Sequence, residues 1–388
     1  MRVRRCRVLF LEPREEIEFD LADLLEGGDG LRCAIRWIAL APHLGREVEV
    51  STGERELLGV LSSERWTDRA ELDADVRGAL PRLLREGLVL GSGKRYEVTR
   101  DREEALREVH WHSLAATLHA FTRWEDADAV QSMEDTGTVT IEQTRELLGP
   151  PPPEVIGRGP GDGVIDLPRS ECRAFDALLA RRATCRNFDG ERELPQALLA
   201  QLMERVFAAQ GRMQVTGDTV FLKKNSPSGG GLHPVEAYLL VQNVEGIAPG
   251  LYHYQPVQHA LEPLPLPELP LEELASQAVA RQHWFARAPV LVVLAPRYDR
   301  HFWKYRRHPK GYRVVALEAG HLSQMLYLAA TEAGLGAFIT AAVNEVPLER
   351  ALGLDPLRDG VLAVCGFGWR GETMSTMELD PQGAVWGL

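Results

Sequence analysis

The sequence predicts an α+β protein with a small accessory domain at its N-terminal side. Three observations lead there. At 388 residues the chain is long enough for two cores. The run Gly149-Pro150-Pro151-Pro152-Pro153, followed by Gly157-Arg158-Gly159-Pro160-Gly161-Asp162-Gly163, can be neither helix nor central strand and marks a linker. Beyond it, helices and strands mix without the strict βαβ alternation of a doubly wound sheet.

The first element set occupies residues 1–105. Val8 to Leu11 reads as a strand, Asp20 to Leu25 as a short helix, Ile35 to Leu40 as a mostly apolar stretch, and Gly53 to Leu61 as a helix. Thr67 is placed to cap a turn whose first residues include Ala70 and Glu71. Pro81 opens the helix Pro81-Arg82-Leu83-Leu84-Arg85-Glu86, and Gly87 stops it. Leu88-Val89-Leu90, Gly91-Ser92-Gly93 and Lys94-Arg95-Tyr96-Glu97-Val98 then read as a β-hairpin. Helix, helix, hairpin is the order of a winged helix. Such a unit binds DNA, binds a peptide, or packs as an adaptor. Arg77, Arg82 and Arg85 share their segment with Asp73, Asp75 and Glu86, a weak phosphate-binding face.

Residues 106–170 form a connector. Trp111, Leu114, Leu118, Phe121 and Trp124 recur at helical spacing and read as packing residues. The main domain spans 171–388. Phe175 to Arg182 and Leu198 to Gln210 are helical, and Ala237 to Val241, Leu251 to Tyr254, Val290 to Ala295 and Val361 to Phe367 are strands. Arg313 to Ala333 is a long helix, apolar nearly all round, which predicts burial, with a subunit interface as one way to achieve it.

Apolar content of 45% and charged content of 26% describe an ordinary globular chain. A net charge of −12 argues against bulk nucleic-acid or anionic-membrane binding. The five cysteines are scattered without a CxxC pair, which fits a reducing cytoplasm and no structural zinc. No segment approaches membrane-span length, and the apolar run after the basic N-terminus is too short for a signal peptide. His233, His253, His259, His301, His308 and His321 show no metal-ligand spacing, so no metal is expected.

Four groups carry candidate chemistry. Arg182, Thr184 and Arg186 lie on alternate residues, so an extended backbone points two guanidiniums and a hydroxyl to one side. Such a set suits a phosphate, although a solvated basic surface would present the same residues. Ser226-Pro227-Ser228-Gly229-Gly230-Gly231-Leu232-His233-Pro234 joins consecutive glycines to a strand. Glycines let the backbone approach a flat ligand, and the flanking prolines make this a shaped loop and not a flexible linker. It has neither GxGxxG after a strand nor GxxxxGK[ST], which excludes the common dinucleotide and P-loop readings. Lys304-Tyr305 lies beside Arg306, Arg307 and Lys310. A lysine becomes a base when burial or neighbouring cations depress its pKa, and a solvated basic face is the plainer reading. Gly334-Leu335-Gly336-Ala337-Phe338-Ile339-Thr340-Ala341-Ala342 offers small residues for close ligand approach, or simply a helix stop.

Together and in this order the groups resemble the nitroreductase-fold flavoproteins, and more narrowly the SagB-type dehydrogenases of ribosomal peptide maturation. The matching pieces are Arg182 to Phe188, Ser226 to Tyr238, Gly250-Leu251-Tyr252-His253-Tyr254, and Gly320-His321-Leu322-Ser323-Gln324 running to Gly334-Leu335-Gly336. The resemblance covers roughly 170–370. It implies a nitroreductase-like FMN fold and a homodimer holding FMN at its interface. Arg182, Thr184 and Arg186 would hold the phosphate, and the backbone of Pro227, Ser228, Gly229 and Gly230 would lie along the ring. Ile339 to Ala342 would pass near its reactive edge, and Leu335, Gly336, Ala341 and Ala342 are cofactor-binding candidates. Lys304 and Tyr305 would be the catalytic pair, with Lys304 taking a proton from the ring carbon of a peptide azoline as it is oxidised to an azole. The usual Arg-Arg-Ser reads Arg182-Ala183-Thr184 here: the hydroxyl stays and one donor is lost. Arg370 is the candidate for a late basic phosphate ligand. The implied partners are a modified precursor peptide and a cyclodehydratase. The alternatives are an NAD(P)H-dependent flavin reductase acting on dehydroamino acids, nitroaromatics or quinones, and a non-catalytic peptide- or DNA-binding flavoprotein.

Overall fold

The computed structural model describes residues 1–156 and 164–387. The second linker run, Gly157 to Gly163, lies outside the described residues. Contacts divide the chain into two compact units. The first comprises Met1–Arg123, Arg297–Val314 and Asp355–Gly360; the second comprises Trp124–Pro296, Val315–Leu354 and Val361–Leu388.

The first unit holds two small antiparallel sheets. In one, the strand Arg2–Arg5 lies between Thr67–Asp68 and Val89–Gly91. In the other, the long hairpin Phe10–Phe19 with Leu31–Leu40 is extended by Glu47–Glu49. Asp20 caps the short helix Leu21–Leu25 through the N–H groups of Ala22 and Asp23. Ser51 and Glu54 form a reciprocal capping box on the helix Thr52–Val60. The helix Leu80–Glu86 ends on Gly87 at φ 87°, a left-handed stop as expected. Leu57, Leu80, Leu83 and Leu88 are fully buried at the centre of this unit.

Three expectations fail here. Lys94–Val98 is not the second arm of a hairpin: Lys94–Tyr96 is a 3₁₀ turn, and the helix Glu97–Glu108 begins immediately after it. Val89–Gly91 finds its partner at the chain's start instead, with Arg4 opposite Leu90. Lys94–Val98 therefore does not form the wing of a winged helix, although the helices before it are present. Thr67 lies in a strand, and Asp68 caps the 3₁₀ turn Arg69–Glu71 in its place. Val8 precedes the strand, which starts at Phe10. Arg82 pairs with Glu54 at 2.5 Å, and Arg77 reaches the carbonyls of Ala70 and Leu72.

In the second unit a six-stranded sheet runs in the order Ala260–Pro263, Gly250–Gln255, Val235–Val241, Val290–Pro296, Ala363–Gly368, Gly336–Thr340. Every pairing is antiparallel, which fits α+β and not a doubly wound sheet. Val290–Pro296 is buried throughout, which accounts for its unbroken apolar sequence. Leu240, Leu291, Val293 and Val364 pack with the helices Leu271–Ala278 and Glu345–Leu352 on one face, while Leu239, Val292 and Leu294 are equally buried on the other.

The long helix runs Gly311–Glu332. It is not buried all round. Ala316, Leu317, Gly320, His321 and Gln324 are exposed along one stripe, and Leu317 is 63% exposed. The stripe mixes Ala316 and Gly320 with Leu317 and the polar His321 and Gln324, so within the single chain the helix does carry an exposed face.

Candidate active site

The segment Arg182–Phe188 leaves the helix Ala174–Arg181 and lies along the strand Gly336–Thr340. The Cys185 N–H donates to the Ala337 carbonyl at 2.9 Å, and Thr184 bridges Ala337 in parallel. An extended course here is what the alternate spacing of Arg182, Thr184 and Arg186 requires. Two of the four sequence groups are thereby brought together.

Tyr327 of the long helix locks them. Its hydroxyl lies 3.0 Å from Thr184 Oγ1 and accepts the Ile339 N–H at 3.2 Å. The Arg182 guanidinium sits over the Tyr327 ring, and that of Arg186 over Phe285. Burial pushes the Tyr327 phenol up, so it stays neutral. Among the described residues, neither Arg182 nor Arg186 has a carboxylate partner.

The glycine loop is tied to the same helix. The Ser228 hydroxyl donates to Glu318 Oε2, the Val235 N–H donates to Glu318 Oε1 at 3.3 Å, and His321 Nδ1 donates to the Pro227 carbonyl at 3.2 Å. Gly230 and Gly231 take φ of 66° and 69°, where a side chain would be strained. His233, also left-handed at 46°, is held by its N–H to Ser228 Oγ. The N–H groups of Gly231, Leu232 and His233 are satisfied inside the loop. Among the described residues, those of Gly229 and Gly230 have no acceptor in the chain. Desolvation pushes the Glu318 carboxyl up, against the pull of Ser228, Val235 and Lys224.

The fourth group, Gly334 to Ala342, is the edge strand and the turn beyond it. A Cβ on Gly336 would fall 2.6 Å from Cys185 Cβ and Sγ, so the glycine makes room for the Arg182–Phe188 segment. Leu335 is buried, whereas Ala341 is exposed and Ala342 half-buried beyond the strand end. Thr340 Oγ1 turns the chain there by accepting the Ala342 N–H.

Arg370 has a partner that spacing could not reveal. It pairs with Glu378 of the C-terminal tail, a carboxyl only 3% exposed. Glu378 Oε1 also accepts from the Arg186 and Asn187 N–H groups and from Asn187 Nδ2, and Oε2 accepts from Trp386 Nε1. Asn187 Oδ1 in turn accepts from Ser375 and Thr376. The tail is thus buttoned onto the Arg186–Asn187 backbone.

Lys304 and Tyr305 belong to the first unit and the cofactor candidates to the second. Lys304 ends the helix Tyr298–Lys304, exposed, with its ammonium 5.9 Å from the Tyr305 ring centroid.

Sequence reading missed Glu318, Tyr327 and Glu378. Glu318 did carry a signal: it sits in an apolar stretch with Val314 and Leu322 at i±4, so no helical ion pair explains it. Tyr327 looks like core, and Glu378 like tail.

The residues 179–369 match the model of the nitroreductase family. The nitroreductase-family protein MJ1384 of Methanocaldococcus jannaschii is 34% identical over 184 residues, spanning 47% of this chain and 86% of that protein. The chain belongs to the nitroreductase family. With it comes membership of the oxidoreductases. Two peptide-processing proteins are also similar to this chain. The trifolitoxin-processing protein TfxB of Rhizobium leguminosarum bv. trifolii is 32% identical over 154 residues, 39% of this chain and 40% of TfxB. The microcin B17-processing protein McbC of Escherichia coli is 27% identical over 191 residues, 47% of this chain and 65% of McbC. The match thus spans less than two thirds of either processing protein. A chain of the E. coli microcin synthetase McbBCD complex, solved with truncated pro-MccB17 bound, shares the fold. Its TM-score is 0.51 at 21% identity, over 69% of this chain and 94% of that one. No helix among the described residues is long and apolar enough to cross a membrane.

Proposed function

We propose that this nitroreductase is an FMN-dependent dehydrogenase of ribosomal peptide maturation that oxidises peptide azolines to azoles. One observation carries the reading: a phosphate-suited segment and a ring-suited loop are both fastened to the helix Gly311–Glu332, through Tyr327 and Glu318. The chemistry of the donors fits FMN. Arg182 and Arg186, without carboxylate partners among the described residues, flank a hydroxyl. Gly229 and Gly230 offer N–H groups with no internal acceptor. Ser226 Oγ is buried without a hydrogen-bond partner among the described residues. Peptide processing by TfxB and McbC supports the substrate class.

In this reading Arg182, Thr184 and Arg186 bind the phosphate, the backbone from Pro227 to Gly230 meets the ring, and Leu335, Gly336, Ala341 and Ala342 border it. Arg370 joins the phosphate end from its seat on Glu378. FMN, when bound, supplies a two-electron acceptor. Lys304, assisted by Tyr305, takes the proton from the azoline ring carbon. Its exposure in the single chain means that its burial must come from what binds beside it, either the peptide or a second copy in a homodimer. A cyclodehydratase would supply the azoline.

The exposed Lys304 also favours a second reading, a reductase drawing on NAD(P)H, which needs no base at that position. Anaerobic mixing of the FMN-loaded protein with an azoline peptide, and separately with NADPH, decides between them. Bleaching of the flavin band by the peptide, lost in Lys304→Ala with flavin still bound, is expected. Bleaching by NADPH alone favours the reductase. A protein that takes up no FMN overturns both.

A further inference from the structure

Glu318 is a carboxyl buried in the middle of an apolar helix, and neither phosphate binding nor sheet packing uses it. A buried acid is costly unless donors surround it. Its donors are the two ends of one loop. Ser228 Oγ donates at the start and the Val235 N–H at the end, and Ser228 Oγ accepts the His233 N–H at 2.9 Å between them. His321, one turn along on the same face, holds the Pro227 carbonyl just before the loop.

What lies between these ties is strained, and its internal bonds, from the Gly231 and His233 N–H groups, converge on Ser228, the residue that Glu318 holds. Gly230, Gly231 and His233 are all left-handed. For a residue with a Cβ such as His233 this region costs about 1–3 kcal/mol and persists only where the surroundings over-determine it. Released from Glu318, the segment has two glycines free to take other conformations. The Gly229 and Gly230 N–H groups would then point in no fixed direction.

We infer that Glu318 is the positioning residue of the glycine loop: it clamps Ser228 to Val235 so that the Gly229 and Gly230 N–H groups are presented in one orientation to the bound ring. The ligand's identity as a flavin rests on the function proposed above. The dependence of the loop on Glu318 does not.

The test compares Glu318→Leu, which keeps bulk without acceptors, with Glu318→Gln. The Gln side chain can accept from Val235 and donate to Ser228 Oγ. Amide hydrogen exchange is followed in the full chain without and with FMN. FMN affinity and the visible flavin band are measured in parallel. In Glu318→Leu, exchange at Gly231, Leu232, His233 and Val235 should rise by about tenfold, the size expected for losing a hydrogen bond. Exchange across Val290–Pro296 should stay as it was. FMN should bind about tenfold more weakly, with a shifted band. Glu318→Gln should restore most of both. If Glu318→Leu does not fold, Ser228→Ala carries the same comparison. Unchanged loop exchange overturns the inference, and so does a loosened loop with unchanged FMN affinity and band. If the unsubstituted protein takes up no FMN, the cofactor reading fails, and loop exchange alone then decides whether Glu318 is the clamp.

Discussion

Tyr327 concentrates the most consequence in one hydroxyl. It bonds Thr184 and it receives the Ile339 N–H, so it spans the phosphate segment and the strand beside it. Tyr327→Phe keeps the ring under Arg182 and removes only the oxygen. The Ile339 N–H is then left without its acceptor, at a cost of about 1–3 kcal/mol. Urea unfolding of the second unit should show that loss, and fluorescence titration should show FMN binding more weakly. Thr184→Ser, which retains a hydroxyl, should bind FMN within about threefold of the starting protein, whereas Arg182→Ala should lose on the order of tenfold or more, since a charged hydrogen bond is worth about 1.5–3 kcal/mol. Equal binding by all three variants would mean the phosphate does not sit there. Glu378 makes a parallel case. Removing it strips an acceptor from Arg370, Trp386 and two backbone N–H groups at once. Glu378→Ala should therefore free the tail to proteolysis near Thr376 before any other described segment is cut. A tail that stays protected would show that Asn187, which bonds Ser375 and Thr376, holds it without Glu378.

Helices that carry their own signals were readable, and elements defined by distant partners were not. Asp20 and Gly87 mark helix ends by local chemistry, and both ends stand where the sequence puts them. Gly87 supports a quantitative test. A Cβ there would come within 2.8 Å of Leu44 Cδ2 and 2.9 Å of Thr99 Cγ2, at a left-handed φ. Gly87→Ala combines strain with a clash, and a loss of about 2 kcal/mol is expected, near 4–8 °C in the melting temperature of a unit this size. A melting temperature within a degree of the parent would argue that the helix stop relaxes freely. By contrast, Lys94–Val98 alternates like a strand but folds as a 3₁₀ turn leading into the helix Glu97–Glu108, and Val89–Gly91 pairs with Arg4 and its neighbours. No local pattern encodes a pairing between the chain's start and residue 90. The candidate site divides the same way. Arg182, Thr184, Arg186 and the glycine loop were legible because spacing and backbone freedom are sequence properties. The carboxyls and hydroxyl that hold them were not, because each acts across a fold that the motif does not contain.

At the scale of the molecule, acid should find the first unit weak. His119 is buried among Trp111, Tyr298 and Tyr312, with Nε2 2.8 Å from the Pro356 carbonyl. Burial pushes its imidazole down from 6.5 to about 4. His301, whose Nε2 donates to the Gly311 carbonyl, is pushed down to about 4 for the same reason. A histidine with a depressed value is neutral in the folded state while the unfolded chain takes up a proton. Its contribution is therefore complete above pH 6.5 and is lost as pH falls from 6.5 through about 4. For fully buried His119 the total is on the order of 3 kcal/mol. Asp359 works the other way: burial raises it to about 6, so folding gains as pH falls through that value. Two imidazoles against one carboxyl leave a net loss as pH falls. Urea unfolding at pH 7, 5.5 and 4.5 should show the first unit's midpoint falling steadily. His119→Phe, which fills similar space but leaves the Pro356 carbonyl without its donor, should be less stable at pH 7 and show a flatter pH profile. A parent midpoint that holds constant from pH 7 to 4.5 would mean that His119 and His301 reach water before the unit opens, and that local fraying of the helix Ser113–Phe121, not global unfolding, sets their protonation.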